Sequence, residues 1–419
     1  MSPKSKGRPK GRGRPAPKGQ GRVVRPLAPV DRAIRAAGLL GHLDSPLTVQ
    51  RDASDWVGQT LAAADMGQRH PERDLAAALG GELGGGHRDT AYRALLALRS
   101  IAAPDDVALI DALLHEHRLA GATRPLWADQ PTPMPTAAWR LADPWGSFAL
   151  VVVGYGDPEP HELLVQIGTV GGLMVGGIKL LDPGSAQDLG RDSRPGGVTI
   201  ETIDPSAALA RIVKAITATD RYWPPQRDPD YVRLRTLALA RSREYAVELE
   251  WEGISADERR GLLDDFAAQT EVSVPPDVAE ILADTFIDFG DAYVVDGVLA
   301  WSPGEVERFM LDWVLRKVVL DPPDWEALPE VLRAWVAFAL RRKGIAESDI
   351  VPVVEAVDEL TPDFRKAAGD DSSFGPGKQL LMAMQAEGAD LTDRDALERA
   401  MRAHNAQQLA ERLRDGGST

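Results

Sequence analysis

Apolar positions recur at helical spacing through the first part of the chain. Residues 31–122 read as helical, beginning with a short amphipathic stretch from Asp31 to Leu43. Trp56, Val57, Leu61 and Ala64 then mark one face of a helix over 55–68, for which Ser54 is the expected N-cap. The run Gly80-Gly81-Glu82-Leu83-Gly84-Gly85-Gly86 interrupts regular structure ahead of a helix from Arg88 to Ile101. Asp105 and Asp106 open another helix to about Arg118, with acids at its positive end. Pro125 to Pro135 reads as a linker or extended crossing.

The pattern changes over 137–222. Phe148 to Gly154 is an apolar run of strand length, followed by the turn signal Gly156-Asp157-Pro158 and a second strand at Leu163–Ile167. Gly171-Gly172 leads into Leu173–Val175, which Ile178–Leu181 extends, and Val198–Ile203 alternates as a strand. Asp204-Pro205 caps a helix to Thr219. Strands joined by short turns and followed by a helix predict an antiparallel α+β module.

From Asp228 onward helical spacing returns. A helix is expected from Tyr231 to Trp251. Ser255-Ala-Asp-Glu258 is a capping box, Pro275-Pro276 opens a further helix, and Ser302-Pro303-Gly304-Glu305 is a second box opening Val306–Leu320. Pro322-Pro323 is expected to end that helix, with Leu328–Arg342 and Ile350–Leu360 following. Thr392-Asp-Arg-Asp395 opens a last helix whose Leu397, Met401, Leu409 and Leu413 are expected to dock it on the body. The expected fold is therefore α+β and predominantly α-helical. Its parts are a disordered basic tail over 1–27, a helical region over 28–124, a small antiparallel α+β module over 137–222 and a helical domain over 228–419.

Composition narrows the class. An apolar fraction of 44% and a charged fraction of 26% are ordinary for a globular chain. With no cysteine, disulfides, thiolate metal sites and cysteine nucleophiles are excluded. No run has the length of a membrane span, so no membrane partner is expected. The N-terminal charges precede no apolar core of a secretory signal, and a cytoplasmic location is expected. Arginine outnumbers lysine 38 to 10, a bias of GC-rich bacterial genomes.

Charge changes the picture most. Nine of the 48 basic residues lie in residues 1–26, which contain none of the 63 acids, so the body carries 63 acids against 39 bases. Rich in Pro, Gly and like charge, the tail has almost nothing apolar to bury, and chain entropy keeps it unfolded. Such a segment is drawn to a polyanion by counterion release. Within it stands Arg12-Gly13-Arg14-Pro15, with a looser copy at Lys6-Gly7-Arg8-Pro9. An extended Arg-Gly-Arg places two guanidinium groups in a narrow groove. Gly13 has no Cβ to strike the groove floor, and Pro15 favours extended backbone. A·T tracts have the narrowest minor groove and the deepest negative potential.

These residues resemble the AT-hook, a minor-groove DNA-binding motif. The resemblance implies that Arg12, Gly13, Arg14 and Pro15 form the core, with Lys10 and Lys18 on flanking phosphates. In the second copy, Lys6 and Arg8 would make the groove contacts, Lys6 departing from the pattern as a point charge without the planar fork. The two cores start six residues apart, about 20 Å when extended, which allows bivalent contact. The body resembles a group of bacterial proteins through Trp301-Ser302-Pro303, Asp312-Trp313, Arg316-Lys317-Val318 and Leu328–Trp335. That resemblance implies architecture and no chemistry.

The remaining chain offers no catalytic signature. Gly171–Lys179 is Gly-rich but lacks the lysine a phosphate-binding loop needs after its second glycine. No G-x-G-x-x-G follows a strand, and no G-x-S-x-G is present. His115 and His117 stand i, i+2 on a helix, face apart, and read as a solvated helix end. His42, His70, His87, His161 and His404 are isolated. The pairs Asp105-Asp106 and Asp264-Asp265, at or in helices, read as capping or solvated acids, and Asp370-Asp371 reads as a loop pair next to Ser372-Ser373, with catalysis expected of none of them. Arg316-Lys317 and Arg341-Arg342-Lys343 complement helix C-termini, and Trp301, Trp313, Trp325 and Trp335 read as core anchors.

No metal or cofactor is implied, and the chain reads as a non-enzyme. The expected function is a nucleoid-associated or regulatory protein that contacts A·T-rich DNA through residues 1–26, with a protein partner or self-association through the helical body. The alternatives are a helical interaction scaffold with an incidental polybasic tail, or an enzyme of unrecognised class.

Overall fold

Proline and short polar caps set where the helices begin. The computed structural model describes residues 28–41, 45–64, 71–83, 85–192, 199–222, 224–246 and 253–369, together with Lys378. The tail cores, the helix expected after Thr392, Asp370-Asp371, His42, His70, His404 and the 247–251 end of the helix expected from Tyr231 lie outside the described residues. The first segment forms α1 (Pro29–Leu40), α2 (Pro46–Ala62), α3 (Pro71–Gly80), α4 (Arg88–Ile101) and α5 (Pro104–Leu119). Proline occupies the first turn of α1, α2 and α5, where its missing N–H has no helical partner to lose.

The α2 helix begins well before Ser54, its expected cap. Ser45 accepts the Thr48 N–H at 3.0 Å and is the true N-cap. Ser54 is buried within the helix and accepts the Leu237 N–H at 3.0 Å. The Pro-rich stretch ends in a strand that the sequence pattern does not announce, β1 (Pro135–Ala142). It is followed by β2 (Phe148–Tyr155), β3 (His161–Gly168), β4 (Met174–Leu181), α6 (Ser185–Asp192), β5 (Thr199–Ile203), α7 (Pro205–Thr219) and α8 (Pro229–Ser242). The five strands form one antiparallel sheet in the order β4-β3-β2-β1-β5. β1 is thus interior, pairing Arg140 with both Val151 of β2 and Glu201 of β5. Its proline stands at the first position, where no ladder donor is required.

Strand alternation sorts the sheet's two faces. Ala138, Val151, Val153, Val165 and Ile167 face a core shared with α1–α5, α7 and α8. Leu141, Val152 and Leu164 face the other way and pack on Ala186 of α6. Buried Glu162 fixes α6 there, accepting the Gly184 and Ala186 N–H groups at 2.7 and 2.8 Å. Although the sequence places it after the 228 boundary, α8 contributes Tyr231, Leu234, Leu237 and Ala238 to this first core.

A second core belongs to α9 (Ala256–Gln269), α10 (Pro276–Tyr293), α11 (Pro303–Arg308), α12 (Val314–Lys317), α13 (Pro322–Arg342) and α14 (Glu347–Ala368). The Ser255–Glu258 capping box forms in full. At the second expected box, Ser302 accepts the Glu305 N–H, but the Glu305 carboxylate pairs with Arg308 instead. A π-helical turn, Phe309–Trp313, joins α11 to α12. Pro322-Pro323 opens α13 instead of ending the preceding element, because both prolines sit in its first turn. The two cores meet where the β1–β2 turn reaches α14, Trp145 Nε1 donating to the Asp349 carbonyl at 2.8 Å. The protein is α+β and mostly helical, and no described helix is long and apolar enough to cross a membrane.

Candidate functional site

Lys6, Arg8, Lys10, Arg12, Gly13, Arg14, Pro15 and Lys18 all lie outside the described residues. What the structure locates are the body's own candidates. Arg316 pairs with Asp312 at 2.8 Å, Arg341 with Glu347 at 2.6 Å and Arg342 with Asp265 at 2.5 Å. Lys343 is exposed, and the partial desolvation of its ammonium lowers its pKa, within the field of Asp296, Arg140 and Asp143. These cations serve ion pairs and helix ends and do not form an open basic stripe.

Trp301, Trp313 and Trp335 are buried, in edge-on and tilted contact with Phe266, Phe286 and Phe289, while Phe309 meets Trp301 edge-on and stacks on Trp313. They anchor the second core and offer no stacking platform. Trp325 packs on Phe364 at 5.5 Å between ring centroids. The His115–His117 pair needs one correction. His115 is exposed, but His117 is fully buried beside Tyr92, because position 117 falls on the core-facing side of α5. Among the described residues no group of three His, Cys, Asp or Glu side chains could hold a metal ion.

One cavity draws on residues scattered from Val57 to Arg243. It occupies about 530 Å³ between α2, α3, the α4–α5 turn and α8. Val57, Leu61, Leu98, Ile101, Ile110 and Leu239 give it apolar walls. Glu72, Arg73, Asp106, Arg235, Thr236 and Arg243 supply its polar groups. This size and balance match small-molecule sites, which are apolar with a few placed polar groups.

The charges of the cavity have distinct settings. Asp106 is buried and takes the Arg73 guanidinium at 2.5 Å. That hydrogen bond raises the Arg73 pKa, and the nearby charge of Glu72 adds to the effect. Arg235 is held by Asp220, which also accepts the Tyr231 hydroxyl at 2.8 Å. Arg243 instead donates to the Ile101 carbonyl at 2.6 Å, to the Ala102 carbonyl, and to the Leu239 carbonyl at 3.3 Å. It thereby closes the C-terminus of α4, satisfying carbonyls that a helix end leaves open. Burial pushes its pKa down.

From the sequence Asp106 reads as a capping acid, and nothing singles out Arg73, Thr236 or Arg243. Their spacing carries no signal, since the walls converge only once α8 crosses α2. Comparison with protein families, with curated proteins and with solved structures returned no match to this chain.

Proposed function

We propose that this chain is a DNA-binding protein, nucleoid-associated or regulatory, that contacts A·T-rich minor groove through residues 1–26. The observation that carries the reading is Arg12-Gly13-Arg14-Pro15 within an acid-free segment holding nine of the chain's cations. Arg12 and Arg14 enter the groove, Gly13 lies against its floor, and Lys10 and Lys18 rest on flanking phosphates. Lys6 and Arg8 make the weaker second contact. The folded body supports confinement of contact to the tail, because its exposed Arg316, Arg341 and Arg342 are already paired with carboxylates. A net-acidic body repels the duplex that its tail attracts.

Fluorescence anisotropy on A·T-rich and G·C-rich duplexes, at two salt concentrations, tests the reading. The full chain should prefer the A·T duplex by at least about tenfold, the worth of one good groove contact. Deleting residues 1–26 should abolish binding. Arg12→Ala with Arg14→Ala should erase the preference and leave a weak, salt-sensitive attraction. Equal affinity of the intact chain for both duplexes rejects the motif reading.

A further inference from the structure

We propose that the cavity between α2, α3, the α4–α5 turn and α8 binds a small amphipathic monoanion: an apolar chain ending in a carboxylate, with a second oxygen function at its far end. The proposal stands apart from the DNA reading and rests on two groups of α8 and its continuation.

The first is Thr236. Four helical threonines elsewhere in the protein return their hydroxyl to the carbonyl one turn back. Thr60 donates to Trp56 at 2.8 Å, Thr219 to Ala215 at 2.8 Å, Thr285 to Ile281 at 2.9 Å and Thr361 to Val357 at 2.6 Å. Thr236 does not. Its Oγ1 is buried with no hydrogen-bond partner, and the residue lines the cavity. The carbonyl it would use, Val232 O, lies against α2, so close that a Cβ on Gly58 would stand 1.7 Å from it. A buried hydroxyl without a partner forfeits the hydrogen bonds it made to water, and a ligand oxygen would restore one.

The second is Arg243. Its contacts are three neutral carbonyl oxygens. Asp106, the acid whose charge acts on it most, is taken by Arg73. The carbonyls hold the guanidinium in place without neutralising it, so it presents a positioned positive charge to the apolar space. Carboxylates are the natural counterpart of such a group.

Geometry bounds the ligand's length. The Cα atoms of Thr236 and Arg243 are two helical turns apart on one face of α8 and its continuation, about 10.5 Å along the axis, with Leu239 between them. Arg243 folds back to donate to the Leu239 carbonyl at 3.3 Å, so its guanidinium lies nearer Thr236 than the backbone spacing. An eight-carbon chain is long enough to reach both groups and flexible enough to bend between them. ω-Hydroxyoctanoate can therefore carry its carboxylate to Arg243 and its hydroxyl to Thr236 while covering Leu239.

Isothermal titration calorimetry on the full chain decides the matter, with ω-hydroxyoctanoate, octanoate and octanol as probes. The hydroxy acid should bind one site and bind at least about tenfold more tightly than octanol. Arg243→Gln keeps N–H donors for the α4 carbonyls and removes the charge. It should weaken both carboxylates about tenfold and leave octanol unchanged. Thr236→Val, nearly isosteric, should bring the hydroxy acid down to the affinity of octanoate. Leu61→Trp should fill the cavity and abolish binding of all three. Far-UV circular dichroism and unfolding midpoints establish that each variant is folded. Should Arg243→Gln fail to fold, Thr236→Val and Leu61→Trp carry the test. Absence of binding to the wild-type chain, octanol binding as tight as the hydroxy acid, or binding indifferent to Leu61→Trp would each overturn the assignment.

Discussion

Two buried glutamates show how differently the same side chain is used. Glu162 is matched to its surroundings, because two backbone N–H groups donate to its carboxylate where the chain enters α6. Glu305 is 2% exposed, and its contacts only partly offset its burial. Arg308 approaches one oxygen at 3.3 Å, and the other oxygen has no hydrogen-bond partner. Desolvation dominates and raises its pKa above the ordinary 4.5, against the opposing pull of Arg308 and the Gly171 backbone. A carboxyl whose folded-state pKa is raised binds more protons folded than unfolded. Its stabilising contribution is therefore full below the ordinary value and declines as pH rises through the folded-state value. Glu305→Gln removes that decline. The unfolding midpoint of the variant minus that of the wild type should grow from about pH 4 to about pH 7. A difference that is flat or shrinks with rising pH would show that Arg308, not burial, governs the site.

At the scale of elements, the contact of α2 with α8 depends on a missing side chain. A Cβ at Gly58 would stand 1.7 Å from the Val232 carbonyl oxygen, which is rigid backbone and cannot swing aside. Gly58→Ala should push the helices apart at a cost of about 1–3 kcal/mol. Gly261, on the exposed side of α9, is the control, because a Cβ there would meet nothing within 4 Å. Gly261→Ala should stabilise by about 0.4–1 kcal/mol, because it removes freedom from the unfolded chain. Urea unfolding of the two variants measures both effects, and opposite signs are the expected outcome. The same contrast between local and tertiary causes explains what is legible in the sequence. Caps are local, so Asp204, Ser255 and Ser302 announce their helices. Tertiary placement is not local. β1 reads Pro-Thr-Ala-Ala-Trp-Arg-Leu-Ala, with neither clean alternation nor β-branched residues beyond Thr136, and becomes a strand because β2 and β5 pair with it on both sides. Ser54 looks like a cap by type, yet the upstream Ser45-Pro46 has already begun the helix. The register of α11 and α12 is hidden too. Val314 N–H returns to Phe309 O, a wider turn that keeps Val306, Phe309, Met310, Trp313, Val314 and Leu315 all buried. The tail motif is contiguous and legible from residues alone, whereas the cavity residues meet only through the crossing of α2, α3 and α8.

For the whole molecule the governing feature is the separation of charge: nine cations and no acid in residues 1–26, against 63 acids and 39 bases in the rest. If only the tail touches DNA, the body enters the binding equilibrium as a repulsive field. That field extends about 30 Å at 0.01 M salt and about 8 Å at 0.15 M. A synthetic peptide of residues 1–26 should therefore bind an A·T-rich duplex more tightly than the full chain at low salt. The two affinities should converge towards physiological salt, where the body's field is screened. With its amino terminus acetylated the peptide keeps nine cations, so its salt slope is no steeper than about −8 in log K against log salt. The full chain should show a shallower apparent slope, since added salt weakens attraction and repulsion together. Anisotropy titrations of both species on one duplex, across that range, give both quantities. A full chain that outbinds its own tail peptide at every salt concentration would mean that the folded body adds favourable contacts, and binding would have to be sought on its surface as well.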